Sequence, residues 1–185
     1  MLTFGLVVEG NDDAAALKEL VQRCASAEVK VEGRPCGNKV RLMQRFPGFL
    51  EEFRYVKEGA NVDKALVIRD ADNKDLAKLI TTMQGNVANR RYPFPVKLLV
   101  VLQELEAWLL ADESAISAVT GKGTPLVQNP ETLRDPKEKL RRVLSEARIS
   151  YTPEIARKIA ANAKIDTVES RCPSFKQFRT AVLDC

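Results

Sequence analysis

The sequence contains no histidine in its 185 residues. Histidine is the general base of Ser-His-Asp and Cys-His catalysis and supplies the zinc ligands of the HExxH motif, so its absence excludes these three chemistries. Any acid-base chemistry in this protein must therefore use carboxylates, lysine, tyrosine, cysteine or metal-bound water.

Cysteine is scarce as well, and no Cys-x-x-Cys pair occurs. The wide spacing of Cys24, Cys36, Cys172 and Cys185 argues against a zinc ribbon or a thioredoxin-type redox motif. We expect free thiols in a reducing cytoplasm, and no zinc. No nucleotide cofactor is expected either, because the glycine-containing segments lack the spacing of a phosphate-binding loop or a dinucleotide fingerprint.

Long apolar runs are also missing. None approaches the roughly 20 residues of a membrane-spanning helix, so no membrane partner is expected. The first apolar stretch has no basic region before it and is interrupted by Glu9, which argues against a signal peptide and favours a cytoplasmic location. Aromatic residues make up 6% of the chain, and no base-stacking platform is visible.

The overall composition indicates a folded protein. Hydrophobic residues make up 45% of the chain and charged residues 29%, a balance that disordered chains lack. The length suits one domain, or one domain with a helical appendage. The net charge of +4 is compatible with a polyanionic partner but indicates one only weakly.

Strand and helix patterns alternate over the first part of the chain. Short β-rich runs predict four strands, at about 4–8, 28–32, 65–69 and 96–102. Helices are predicted at about 13–24, 73–83 and 104–111. A further helical stretch follows the loop at 33–39 and runs to about Lys57, with a break at Pro47-Gly48. This alternation predicts an α/β fold with a mainly parallel four-stranded sheet flanked by helices.

The strand signals stop after about residue 112. Helices are expected at about 135–147, 153–163 and 173–183. The predicted organisation is therefore an α/β core at 1–112 and a helical C-terminal extension at 113–185 that packs on the core.

Acidic residues follow two of the predicted strands. Glu9 comes after the first strand, with Asp12 and Asp13 close behind, and Asp70 and Asp72 follow the third. The carboxyl ends of parallel strands line one edge of a sheet, where ligands bind. Alternate residues of an extended segment point the same way, so the Asp-x-Asp pair can share one cation. The alternative is ordinary helix capping, which suits the two aspartates of the first cluster better than Glu9.

A third acidic cluster follows the fourth strand. Glu104 and Glu106 repeat the spacing of the Asp-x-Asp pair, and their alternative is a solvated first helical turn with Trp108 as a core anchor. Three acidic clusters on one edge repel each other unless a cation lies among them. A hard divalent metal such as magnesium is the simplest cation that carboxylates and water can hold.

At these residues the chain resembles the Toprim domain family. Glu9-Gly10 after the first strand, Asp13 four residues on, and Asp70-Ala71-Asp72 after a later strand look like the pattern found in topoisomerases, bacterial primases, nucleases and recombination mediators. The chain is also similar to a Toprim-like family of prokaryotic proteins of unknown function. The Glu-x-Glu-Ala-Trp signature of that family resembles residues 104–108, and its Ser-Pro-Ser-Phe-x-x-Phe ending resembles residues 170–178.

The resemblance implies roles for the acidic residues. Glu9 would act as acid/base or metal ligand, and Asp70 and Asp72 would complete the catalytic set. The metal set, for Mg²⁺ with Mn²⁺ as a substitute, would be Glu9, Asp13, Asp70, Asp72, Glu104 and Glu106. The chain departs from the pattern at Asn11-Asp12, which leaves open whether Asp12 or Asp13 serves, and either glutamate of the third cluster could be the later ligand.

The resemblance implies magnesium-dependent cleavage of nucleic-acid phosphodiesters with water as nucleophile. Four basic residues are candidates for phosphate contacts, with solvated surface charge as the alternative for each: Arg34, Lys39, Arg90 and Arg91. Two other functions stay open. One is a non-catalytic interaction subunit with a protein partner in a larger nucleic-acid-processing or defence complex, and the other is phosphotransfer on a small phosphorylated substrate.

Overall fold

The sheet is built from four parallel strands. The computed structural model describes residues 1–56 and 61–184, and within them the strand order is β2-β1-β3-β4. The strands are β1 (Leu2–Val8), β2 (Val29–Pro35), β3 (Lys64–Asp70) and β4 (Val96–Val101). The central strands β1 and β3 are buried on both faces, which explains their nearly continuous apolar runs. The predicted α/β fold with a parallel sheet flanked by helices is confirmed.

Nine α-helices of the described chain cover the two faces of the sheet. They are α1 (Asn11–Cys24), α2 (Lys39–Glu52), α3 (Leu76–Val87), α4 (Glu106–Leu110), α5 (Glu113–Thr120), α6 (Pro136–Glu146), α7 (Pro153–Asn162), α8 (Ile165–Arg171) and α9 (Pro173–Leu183). Short 3-10 turns lie at Phe53–Tyr55 and Pro130–Thr132. None of the helices in the described ranges is long and apolar enough to cross a membrane.

Alternate residues of the central strands enter two separate cores, because successive side chains of a strand point to opposite faces. Leu6 and Leu66 are paired across β1 and β3, and both pack with α1 and the helices that follow β4. Val7 and Val67 point the other way and pack with α2 and α3. Complete burial of each such side chain contributes about 1.5–3 kcal/mol, so both faces stabilise the sheet.

The helices after residue 112 share the first of these cores. Ile159 of α7 is fully buried in it and α7 packs along α1. Phe175 and Phe178 of α9 pack against Trp108 of α4, with ring centroids 5.1 Å and 5.2 Å from the indole. Aromatic and aliphatic burial therefore joins the C-terminal helices to the face of the sheet that α1 covers.

The expected break at Pro47-Gly48 is wrong, because α2 runs through Pro47 without interruption. A proline inside a helix has no N–H to donate to the carbonyl four residues earlier, here that of Met43. The side chain of Asn86 in α3 supplies the missing donor, with its Nδ2 3.0 Å from the Met43 carbonyl oxygen. A tertiary hydrogen bond thus replaces the local one that proline removes.

Other boundaries differ from the predicted ones. α3 begins at Leu76 rather than 73, because Asp75 caps it by accepting the Lys78 N–H at 3.1 Å. β2 extends to Pro35, into the expected loop, since an edge strand tolerates proline. The segment at 104–111 contains only the short α4, and the sequence patterns predicted neither α5 nor α8. The expected helical end near Lys57 lies outside the described residues.

The three cysteines that the structure describes are buried free thiols: Cys24, Cys36 and Cys172. Burial raises the pKa of Cys24 and of Cys36 to about 11, which leaves both thiols protonated and unreactive at neutral pH. The remaining cysteine, Cys185, lies outside the described residues.

Gly5 of β1 is expected to tolerate no side chain. A Cβ at this position would lie 2.4 Å from Cδ2 of the buried Phe53 ring. Gly5→Ala should lower the free energy of unfolding by about 1–3 kcal/mol through overpacking. In the matched control Gly48→Ala, the new Cβ meets nothing within 4 Å, and helix propensity should raise stability by up to about 1 kcal/mol. Urea denaturation measures both, and equal effects would contradict the close contact.

Candidate functional site

Glu9 and Asp70 meet at the centre of one edge of the sheet. β2 lies beside β1 and β4 beside β3, so the chain leaves the two central strands toward opposite sides. This switch in strand order opens a crevice at the carboxyl ends, the usual ligand position in open parallel sheets. Glu9 directly follows β1, Asp70 ends β3, and the Asp70 N–H donates to Oε1 of Glu9 at 3.3 Å.

Asp13 reaches the same crevice from the first turn of α1. The Gly10 N–H donates to its Oδ2 at 2.8 Å, which ties the carboxylate to the turn that leaves β1. The neighbouring Asp12 is turned toward a lysine, with its Oδ2 3.5 Å from Nζ of Lys137. Between the two aspartates that the sequence left open, Asp13 is the buried one and the one whose charge acts most strongly on Asp70.

Burial shifts the acid-base properties of these carboxyls. Burial raises the pKa of Glu9 from 4.5 to about 7, and the charge of Asp13 contributes to the rise. The pKa of Asp13 is raised to about 6, first by burial and then by the charge of Glu106. The pKa of Asp70 lies well above its usual range, again because of burial and then because of Asp13. The carboxyls of Glu9 and Asp13 therefore exchange protons close to neutral pH.

Asp72 takes a different position from the one its spacing predicted. The residue has φ 47° and Asn73 has φ 63°, both in the left-handed region, because the chain turns away from β3 here. The expected extended conformation of the Asp-x-Asp segment is therefore wrong at Asp72, and a cation shared by its two carboxylates stays a prediction. The Asp72 carboxylate pairs instead with Nζ of Lys39 at 2.7 Å, and its charge contributes to the raised pKa of Asp70.

The two glutamates after β4 meet Lys137 at the start of α6. The Lys137 N–H donates to Oε2 of Glu104 at 2.8 Å, and its Nζ lies 2.9 Å from Oε1 of Glu106. Glu106 is only 1% exposed, so it is not the solvated helix-turn residue of the alternative interpretation. Burial raises the pKa of Glu104. The Lys137 side chain also lies over the ring of Tyr151, 5.4 Å from its centroid.

Five carboxylates lie close enough for their charges to interact. They define the acidic crevice and belong to Glu9, Asp13, Asp70, Glu104 and Glu106. Within residues 1–56 and 61–184, no three acidic or cysteine side chains converge closely enough to form a ready-made metal site. The carboxylate oxygens are nevertheless the donors that hard divalent cations prefer. Lysines balance part of the negative charge on both sides of the crevice.

The predicted phosphate-binding residues are divided between different parts of the molecule. Lys39 lies at the acidic edge, next to the crevice. Arg34, near the end of β2, donates from Nε to Oε2 of Glu52 at 3.2 Å. Arg90 and Arg91 precede β4 and therefore lie at the amino edge of the sheet, opposite the carboxylates. The structure therefore brings Lys39 and Arg34 to the carboxyl edge of the sheet, where Arg34 pairs with Glu52.

The Glu-Ala-Trp and Ser-Phe-x-x-Phe segments meet in a buried network. The indole Nε1 of Trp108 donates to Oε1 of Glu131 at 3.1 Å and to Oγ of Ser174 at 2.9 Å. The Ser174 hydroxyl and backbone N–H in turn donate to the Glu131 carboxylate. The network joins α4 to α9 and satisfies a carboxylate that is 7% exposed. Trp108 and Ser174 therefore form a structural joint, while Glu106 of the same motif belongs to the acidic crevice.

Sequence reasoning missed two cations. Lys137 lies in the helical C-terminal part, and no spacing in the sequence links it to the acidic residues. Arg69 interrupts the apolar run of β3 and is itself buried, 7% exposed. A charged residue inside a strand that is buried on both faces was a usable signal, since arginine is rarely buried without a partner.

Fold and site define an α/β protein with a Rossmann-like parallel sheet and an acidic crevice at its topological switch point. The chain belongs to the family described as Domain of unknown function (DUF4276), whose model matches residues 8–183. No curated protein and no solved structure matches the chain.

The raised pKa of Glu9 predicts that the protein in EDTA loses stability as the pH rises. Its folded-state pKa of about 7 exceeds the ordinary 4.5, so the folded state binds the proton more tightly than the unfolded state does. The resulting stability is complete below about pH 4.5 and is lost as the pH rises through about 7. Glu9→Gln should flatten this decline and raise the free energy of unfolding at about pH 8 by about 1–2 kcal/mol, allowing for solvent screening.

Urea denaturation between about pH 4.5 and 8 measures this effect. Glu28→Gln, an exposed glutamate just before β2, is the matched control and should keep the wild-type slope. An identical slope for wild type and Glu9→Gln would contradict the raised pKa.

Removing the charge of Lys137 should leave a buried carboxylate without a counter-charge. Lys137→Met leaves Glu106 without its cation, and we expect the free energy of unfolding at neutral pH to fall by about 3 kcal/mol. Adding Glu106→Gln to this variant should restore part of the loss, because the two effects are coupled. Lys139→Met, two residues along α6, is the control in urea denaturation. A loss no larger than that of the control would contradict the pairing.

Proposed function

We propose that this protein is a Toprim-like enzyme that cleaves phosphodiester bonds in nucleic acid with the help of magnesium. The observation that carries the proposal is the meeting of Glu9 and Asp70 at the switch point of the sheet, both with a pKa raised by burial. Buried negative charge of this kind is disfavoured without a cation. Phosphodiester cleavage, in turn, needs positive charge at the phosphate.

The residues present fit a divalent cation by their donor chemistry. Glu9, Asp13 and Asp70 offer carboxylate oxygens, which suit Mg²⁺, with Mn²⁺ as a substitute. Asp72 and Glu106 pair with lysines, and Glu104 accepts the backbone N–H of Lys137, so we assign metal binding first to Asp13 and Asp70, with Glu9 as a further ligand or as the acid/base. A cation bound there supplies charge neutralisation at the phosphate and lowers the pKa of a bound water.

Glu9 is the residue suited to proton transfer. A pKa of about 7 lets its carboxyl hold or release a proton near neutral pH. Its Oε1 accepts the Asp70 N–H, which orients the carboxyl and leaves Oε2 for exchange with a water or a leaving oxygen. We assign Glu9 as the acid/base, and Asp70 as the group that orients Glu9 through its backbone and adds its own carboxylate to the crevice.

Lys39 is the cation in position to approach a substrate phosphate from the side of α2. Its side chain is 43% exposed and its Nζ lies 2.7 Å from the Asp72 carboxylate. A lysine that is ion-paired and still open to solvent can turn to a phosphate when the polyanion arrives. Of the other predicted phosphate contacts, Arg34 lies at the same edge of the sheet but pairs with Glu52, and Arg90 and Arg91 lie at the opposite edge.

A second candidate function is a non-catalytic interaction subunit of a larger nucleic-acid-processing complex. It is favoured by the ion pairs of Lys39 and Lys137, which balance part of the acidic charge without a metal. The absence of three converging ligands among the described residues points the same way. In this alternative the acidic crevice serves the fold, and activity belongs to the partner.

Cleavage of labelled single- and double-stranded DNA and RNA tests the proposal. We expect cutting that needs Mg²⁺ or Mn²⁺ and that falls by about 100-fold or more in Glu9→Gln and in Asp70→Asn, since both change the charge at the reacting phosphate. The matched controls are Glu28→Gln and Asp166→Asn. Both residues are exposed and far in sequence from the crevice, and their variants should cut like wild type.

Titration calorimetry with Mg²⁺ separates the alternatives. Metal binding without cutting would favour a missing partner or a small phosphorylated substrate. A protein that neither cuts nor binds metal would overturn the enzyme and leave the interaction subunit.

A further inference from the structure

An open pocket of about 530 Å³ lies between α2 and α3, on the face of the sheet opposite α1. Its lining residues are Met43, Gln44, Pro47, Arg69, Thr82 and Asn86. Arg69 is the charged residue among them. It directly precedes Asp70 at the end of β3, so the pocket lies next to the acidic crevice.

The side chain of Arg69 is largely buried, and its Nε has no partner. The residue is 7% exposed, and its Nε is shielded from solvent with no hydrogen-bond acceptor. In the part of the chain that the structure describes, the side chain of Arg69 forms no hydrogen bond and no ion pair, while its backbone pairs with Val100 in the sheet. A guanidinium carries five N–H donors and stays charged at any physiological pH, so a buried one without an acceptor is unfavourable. The pocket therefore contains a cationic side chain without an acceptor, which an anion could supply.

The neutral groups of the pocket suit an anion with several oxygens. Asn86 uses one amide N–H on the Met43 carbonyl, which leaves its second N–H for a ligand, and Gln44 brings a further amide at the rim. One guanidinium flanked by amides is a donor set that matches a phosphate group, since arginine binds phosphate with two parallel N–H donors.

Position links this pocket to the acidic crevice. The charge of Arg69 acts on Glu9 and on Lys39, so the guanidinium lies within electrostatic reach of both. Successive residues of a strand point to opposite faces, so the end of β3 presents Arg69 to the α2 and α3 side and Asp70 to the other. A polyanion that crosses the end of β3 would meet carboxylates and guanidinium within one residue of each other.

We propose that Arg69 binds a phosphate group of the nucleic-acid chain, next to the phosphate held at the acidic crevice. The proposal rests on the proposed function for its choice of substrate. Arg69 acts here as a positioning residue: phosphate contacts of this kind set the register of the chain relative to the reacting group. The ligand chemistry is a phosphate ester, and inorganic phosphate is the simplest probe of it.

The test uses the whole protein in EDTA, so that binding is separated from cleavage. The Tm of wild type should be higher in inorganic phosphate than in a sulfate-free chloride buffer of equal ionic strength. Wild type should also bind a fluorescent single-stranded oligonucleotide. Arg69→Gln should abolish the phosphate-dependent rise in Tm and weaken oligonucleotide binding by about 10-fold or more, as expected for one charged hydrogen-bonding group. The control Arg45→Gln removes an exposed arginine of α2 that lies over the Phe49 ring, and should change binding by less than about 2-fold.

The free protein supplies a second readout. An arginine whose only partner is a ligand destabilises the ligand-free protein. Arg69→Gln should therefore be as stable as wild type, or more stable, in the absence of phosphate. A structural arginine would give a clear loss of stability and no change in phosphate dependence, which would overturn the proposal. If Arg69→Gln does not fold, the Nε–H resonance of Arg69 in wild type must still shift on phosphate titration, and an unmoved resonance overturns the proposal equally.

The outcomes also separate this proposal from the proposed function. Arg69-dependent phosphate and oligonucleotide binding in a protein that never cuts would support the site and contradict the nuclease. Cutting that survives Arg69→Gln with unchanged oligonucleotide affinity would contradict the site and leave the nuclease. Loss of phosphate binding with unchanged oligonucleotide binding would assign the pocket to a small phosphorylated ligand and overturn the placement of a nucleic-acid phosphate there.

Discussion

Repulsion among carboxylates gathered at the carboxyl ends of β1, β3 and β4 is the constraint on which the rest of the site depends. Glu9, Asp70 and Glu106 cannot all carry full charge in a buried crevice unless cations balance them. The protein supplies cations from two sides, Lys39 from the start of α2 and Lys137 from the start of α6. Burial, with a smaller contribution from the charges of Asp13 and Asp72, still raises the pKa of Glu9 to about 7, so the lysines do not fully offset the cost of charging it. The remaining imbalance is the physical basis for the proposed affinity for a divalent cation.

The C-terminal helices therefore do more than cover one face of the sheet. They bring Lys137 against Glu106, and they are joined to α4 by the buried network of Trp108, Glu131 and Ser174. Because α4 begins at Glu106, that network also sets the position of a carboxylate of the crevice. Packing in the hydrophobic core and electrostatics at the crevice are thus coupled through a single short helix.

The end of β3 combines two features that reduce stability and that the proposed function uses to bind a ligand. Asp70 is a buried carboxyl surrounded by like charges, and Arg69 is a largely buried arginine whose Nε has no hydrogen-bond acceptor. A sequence selected for stability alone would replace both with apolar residues that continue the strand. Their presence side by side, at the position where open parallel sheets bind ligands, supports the two proposals of a metal cation on one face and a phosphate on the other.

The sequence by itself determined the parallel sheet and the edge on which Glu9 and Asp70 lie. Apolar runs and helical periodicity depend on neighbouring residues, and parallel topology then brings the strand ends together. Tertiary structure alone decided that α2 passes through Pro47, because the compensating donor is Asn86 on another helix. It also decided that Lys137 faces the crevice. Which cation meets which carboxylate depends on how distant helices pack, and that information is spread over the whole chain rather than held in any local pattern.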